Sequence, residues 1–156
     1  MAELFDKIQR ERERFPEGSR SATLPALRLA QEEYGWLPPE ALREVAAALE
    51  LTPAYCHAVA SFYDMLHLEP VGRHLVEVCT NLSCALVGAQ RVVEAFESEL
   101  GLHVGETSDD GEVTFRAVEC LGGCGYATVV TLDGRYREHV TPGDVPAIVE
   151  GIRGRS

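Results

Sequence analysis

The chain has 156 residues, the size of one domain or two small ones, and can bury a core without disulfide staples. Apolar residues make up 46% and charged residues 25%, which excludes disordered and collagen-like chains. Fourteen Lys plus Arg against twenty-five Asp plus Glu give a formal charge of -11, which argues against nucleic acid or anionic lipid as a partner.

No apolar run approaches the roughly 18 residues a membrane span needs. Met1 to Arg14 is dense in charge with no apolar stretch behind it, unlike a signal peptide. A reducing cytoplasm is therefore expected, where structural disulfides are rare. Against that background the chain carries five cysteines, Cys56, Cys79, Cys84, Cys120 and Cys124.

The first half reads as helices. Leu4, Phe5, Ile8 and Phe15 stand among charges, and Pro16-Glu17-Gly18-Ser19 breaks the chain. Ser21 is placed to cap a helix carrying Leu24, Leu27, Ala30 and Tyr34, which Gly35 stops. Pro38-Pro39 opens the next helix, with Leu42, Val45, Ala46 and Leu49 at helical spacing. Thr52 as N-cap and Pro53 at the first helical position start a third. Phe62 to Pro70 reads as an extended linker.

The period then changes. Leu75, Val76 and Val78 predict a strand ending at Cys79. Cys84 to Leu100 predicts one helix, with Leu86, Ala89, Val92, Val93, Phe96 and Leu100 as its buried stripe, stopped by Gly101. An acidic loop follows, with a turn at Asp109-Asp110-Gly111, and Val113, Phe115 and Val118 predict a strand ending at Cys120. Ala127 to Leu132 and Tyr136 to Val140 form a hairpin turned by Asp133-Gly134. Thr141-Pro142 with Asp144 starts a last helix. The order strand, helix, strand, strand, strand, helix is a small α/β layer packing.

Four cysteines form two pairs, Cys79-x4-Cys84 and Cys120-x3-Cys124, each in a loop after a strand. Four converging thiolates need positive charge, from a soft cation or an iron–sulfur core. Structural zinc favours two residues between paired cysteines, so the wider gaps suit a longer object such as a [2Fe-2S] rhomb. Zinc and a redox disulfide remain the alternatives. A helix starting at Cys84 and the backbone of Gly122, Gly123 and Gly125 offer N–H groups to an anionic cluster. Cys56 sits alone in a helix and reads as a buried small hydrophobe. His57, His67, His74, His103 and His139 show no ligand spacing.

Val78-Cys79-Thr80-Asn81-Leu82-Ser83-Cys84, Gly88-Ala89 and Glu119-Cys120-Leu121-Gly122-Gly123-Cys124 resemble the thioredoxin-like [2Fe-2S] subunit (the E-type subunit) of bacterial NADH:quinone oxidoreductase, respiratory complex I. Gln31 to Leu37, Val59 to Tyr63 and Pro70-Val71-Gly72 carry the same resemblance, which covers about residues 20 to 150. It implies an α+β chain, with an N-terminal helical bundle over residues 1–72 and a thioredoxin-like [2Fe-2S] ferredoxin domain over 73–156. It implies one [2Fe-2S] cluster ligated by Cys79, Cys84, Cys120 and Cys124. The implied role is electron transfer within an oxidoreductase, without catalysis by this chain alone. The implied partners are a flavoprotein subunit, which binds FMN and NADH, and a further iron–sulfur subunit of the peripheral arm. The place is the cytoplasmic side of the membrane, without insertion into it. A homologous subunit of a soluble NAD-linked formate dehydrogenase or hydrogenase is the alternative, and a zinc-binding structural module a third. The chain has no Gly-x-Gly-x-x-Gly for a nucleotide of its own. Family members usually carry Ala-Pro shortly after the fourth cysteine, where this chain has Ala127-Thr128.

Overall fold

Pro39 and Pro53 each open a helix, because the missing N–H of proline falls where a helix leaves its first N–H groups unbonded. The structure is a computed structural model that describes residues 2–16 and 18–154. Glu17, part of the expected break at 16–19, lies outside the described residues, as does Met1 of the charged N-terminus. The chain packs as two units, one running to Pro70 and the other starting at Val71.

The first unit holds α1 (Ala2–Arg12), α2 (Thr23–Tyr34), α3 (Pro39–Leu49) and α4 (Pro53–Phe62). Their apolar stripes meet in a core that includes Leu4, Ile8, Leu27, Leu37, Val45 and Leu49. Thr52 caps α4 as expected, its Oγ1 accepting the Tyr55 N–H at 3.2 Å. Gly35 ends α2 at a φ of 80°, which L side chains resist.

Two expectations shift here. Ser21 does not cap α2; Ser19–Ala22 form a 3-10 turn, and the Thr23 N–H bonds the Arg20 carbonyl. The backbone of that turn takes up the donor a side-chain cap would have satisfied. The segment after α4 is also fastened rather than a free linker. Gln31 donates to the Met65 carbonyl at 3.0 Å and accepts the His67 N–H at 2.7 Å. The Leu37 N–H bonds the His67 carbonyl at 2.8 Å, and Leu66 is buried.

The second unit is built on a sheet of β1 (His74–Cys79), β2 (Val113–Val118), β3 (Val130–Leu132) and β4 (Arg135–Arg137), in the order β2-β1-β3-β4. β1 and β2 are parallel, whereas β3 pairs antiparallel with both β1 and β4. α5 (Leu82–Leu86) and α6 (Ala89–Leu100) lie between β1 and β2 in the chain, and α7 (Val145–Arg153) follows β4. Alternate residues Val76, Val78, Phe115, Val130 and Leu132 bury one sheet face against Val92, Phe96, Val145, Val149 and Ile152 of α6 and α7. By the same alternation Arg116, Glu77, Thr131 and Tyr136 form a cross-strand row on the other face.

The single helix expected from Cys84 to Leu100 is two helices. Gly88 breaks it at a φ of 99°, after which α6 restarts. The hairpin strands are shorter than expected, but the turn falls at Asp133 and Gly134, both at positive φ. Thr141 and Asp144 bond reciprocally before α7, as their spacing predicts, with one 3-10 turn between the cap and the helix.

Candidate metal centre

The parallel pairing of β1 and β2 decides where the paired cysteines meet. Parallel strands end at the same edge, and the register sets Cys79 beside Val118, two residues before Cys120. The Thr80 N–H and hydroxyl both bond the Val118 carbonyl, at 2.9 and 3.2 Å, and hold the two exits together. The Cys79 N–H bonds the Val129 carbonyl at 3.0 Å, which brings the segment after Cys124 alongside. There the peptide between Ala127 and Thr128 is cis.

Asn81 starts α5 by accepting the Leu82 N–H at 2.7 Å. Cys84 therefore sits in the middle of α5, not at a helix start as expected. Cys124 opens a 3-10 turn that packs against α5. All four thiols are free; Cys79 and Cys84 are buried, while Cys120 and Cys124 are exposed.

The four thiols are linked in a row, Cys79 interacting with both Cys84 and Cys120, and Cys84 also with Cys124. Burial works to raise the Cys79 thiol, but hydrogen bonds from the backbone at Leu121 and Asn81 and from the thiols of Cys84 and Cys120 outweigh it, holding it below its ordinary value. Burial pushes the Cys84 thiol up; the Val129 backbone pulls the other way, and the neighbouring Cys79 and Cys124 add to the rise. Among the described residues, no three His, Cys, Asp or Glu side chains surround one point closely enough for a single ion. A [2Fe-2S] core takes four thiolates, the number linked here. The donor set fits such a core: four sulfurs, with backbone N–H groups aimed at them.

The glycines divide their expected work. Gly122 takes a φ of 78° and donates its N–H to the Cys120 Sγ at 3.3 Å. Gly123 provides clearance instead, since a Cβ there would stand 2.9 Å from Val129 Cγ2. Gly125 makes no bond to sulfur among the described residues.

Cys56 is fully buried in the core of the first unit, and burial raises its thiol. His74 bonds Asp133 at 2.9 Å and His103 bonds Glu97 at 3.3 Å, and neither belongs to a group of three ligand-type side chains among the described residues. Sequence reasoning missed the backbone donors at Leu121, Asn81 and Val129, which carry no side-chain signature. It also missed Tyr136, whose hydroxyl donates to the Leu121 carbonyl.

Two cysteine pairs on adjacent parallel strand ends, with a mixed sheet covered on one face by helices, define a thioredoxin-like cluster protein. The pattern of the thioredoxin-like [2Fe-2S] ferredoxin family matches residues 8–153, and the chain belongs to that family. It is 37% identical to the E 2 subunit of NADH-quinone oxidoreductase from Rhizobium meliloti (strain 1021), over 96% of this chain and 89% of the relative. It is 40% identical to NADH-quinone oxidoreductase subunit 2 of Thermus thermophilus, over 88% of this chain and 77% of the relative. Among solved structures, an NAD+-reducing [NiFe]-hydrogenase in the air-oxidized state has the same fold, with a TM-score of 0.75 at 22% identity. That match covers 85% of this chain and 23% of the hydrogenase chain.

Proposed function

We propose that this chain is the electron-transfer subunit of an NADH:quinone oxidoreductase, holding one [2Fe-2S] cluster on Cys79, Cys84, Cys120 and Cys124. The observation that carries the reading is the meeting of two buried and two exposed thiols at one end of β1 and β2. The relatives named as NADH-quinone oxidoreductase subunits support the assembly. When bound, the cluster accepts and releases one electron at a time.

The chain's own residues supply three things. The thiolates of Cys79 and Cys84 bind at the buried side, and those of Cys120 and Cys124 at the exposed side. Backbone N–H groups of Asn81, Leu121, Gly122 and Val129 offset the negative charge the sulfurs carry. The exposed side leaves one edge at the surface, where the FMN of an NADH-oxidising flavoprotein subunit comes within electron-transfer range. Beside it, Leu82 and Leu86 of α5 and Val87 just after it are 69%, 79% and 55% exposed, an apolar patch of the kind a partner subunit covers.

Among the described residues no helix is long and apolar enough to cross a membrane. The reading places the chain at the periphery of the membrane, on its cytoplasmic side. A flavoprotein subunit and a further iron–sulfur subunit of the peripheral arm are the partners it requires. The hydrogenase likeness favours a second reading, a subunit of a soluble NAD-linked hydrogenase or formate dehydrogenase, on fold alone. Purification from the native host separates the two. Co-purification with flavoprotein and quinone-reducing subunits supports the first, whereas a nickel or molybdenum partner supports the second.

A further inference from the structure

The peptide group between Leu121 and Gly122 is used at both ends. Its carbonyl accepts the hydroxyl proton of Tyr136, and its N–H donates to the Cys120 sulfur at 3.3 Å. Tyr136 comes from β4, remote in sequence from Cys120, and more than half of its surface is exposed. Its ring rests on the same loop: a Cβ on Gly123 would lie 3.8 Å from Tyr136 Cε1.

Hydrogen bonds joined head to tail through one amide polarise each other. A donor at the carbonyl withdraws charge from the nitrogen and strengthens the N–H as a donor. The potential of an iron–sulfur cluster follows the hydrogen bonds to its sulfurs, because they offset the charge added on reduction. Reduction here adds one electron, takes the core plus four thiolates from about -2 to about -3, and needs no proton or leaving ligand.

We infer that Tyr136 is a positioning residue that raises the reduction potential of the cluster, acting through the Leu121–Gly122 peptide on the Cys120 sulfur. The inference rests on the ligand set proposed above. The hydroxyl strengthens the N–H···S bond, and the strengthened bond favours the reduced form.

The test is Tyr136→Phe in the full-length protein with its cluster, read by an EPR-monitored redox titration. The ring and its packing on Gly123 are kept, and only the hydroxyl is lost. The ratio of reduced to oxidised cluster at fixed potential should fall about twofold to fourfold, roughly 18 to 36 mV at about 59 mV per tenfold for one electron. The hyperfine coupling of the exchangeable proton at the reduced cluster should weaken with it. Site-specific 3-fluorotyrosine at position 136, a stronger donor, should shift the potential the opposite way and keeps the test open where Phe impairs folding. Tyr126→Phe removes the hydroxyl of another exposed tyrosine, on the turn that Cys124 opens, and should leave the potential in place. An unmoved potential in Tyr136→Phe with a normal cluster overturns this inference alone, as does an equal shift in Tyr126→Phe. A wild-type protein with no two-iron cluster overturns this inference and the ligand set together.

Discussion

Cys79, Cys84, Cys120 and Cys124 differ from Cys56 in what surrounds the sulfur, and that difference predicts their mutants. Replacing any of the four with Ala should abolish or badly degrade the cluster, measured by iron content and the reduced-state EPR signal. Cys56→Ala should keep the signal unchanged and cost about 1 kcal/mol of stability by urea unfolding, since it only thins a packed core. The ligand candidates were legible in the sequence because thiolate chemistry demands particular residue types at particular gaps. The donors to the sulfurs were half legible. The glycines flagged the loop, but the N–H groups of Leu121, Asn81 and Val129 belong to the backbone, where sequence says nothing of direction. Asp144 gives a pH test at this scale. The Thr141 hydroxyl and N–H hold its carboxyl below the usual range, so the cap is complete above the unfolded-state value. That stabilisation is lost as pH falls through the lower, folded-state value, below about pH 4. Amide exchange at the start of α7 should quicken there, and Asp144→Asn should remove that dependence.

At the scale of elements, close approaches set what the chain tolerates. Gly72 lies against β2, where a Cβ would stand 2.8 Å from the Val113 backbone, and backbone cannot swing aside. Gly72→Ala should destabilise the second unit by about 2 kcal/mol in urea. Gly123→Ala meets Val129, a fully buried β-branched side chain with little rotamer freedom. It should displace the loop and speed loss of iron to a chelator, with the fold retained by circular dichroism. The helix ends at Gly35 and Gly101 and the starts at Pro39 and Pro53 were readable, because proline and glycine act through local backbone geometry. The break between α5 and α6 was not. Leu86 and Val87 continue the apolar run, yet both are exposed, and only Gly88 marks the change of direction. Burial, which distinguishes a core stripe from a docking stripe, is a property of the folded chain.

For the whole molecule, the exposed apolar patch at Leu82, Leu86 and Val87 stands on a chain with a formal charge of -11. With the cluster the charge becomes about -13 when oxidised. The Leu82 and Leu86 side chains are exposed, and Leu82→Asp and Leu86→Asp should each keep the cluster while lowering co-purification of the proposed flavoprotein partner. The passage from helices to strands was legible as a change of period, from helical spacing to short alternating strands. The partner entered only through family resemblance, because an interface is chemically close to ordinary surface until something covers it. Every role proposed for the chain depends on the cluster. Iron and labile-sulfide analysis of the full-length protein, expressed with active cluster assembly and paired with EPR after reduction, is the decisive measurement. About two irons and two sulfides per chain, a red-brown colour and one reduced-state signal are expected; a colourless protein with one zinc per chain would rule the cluster out.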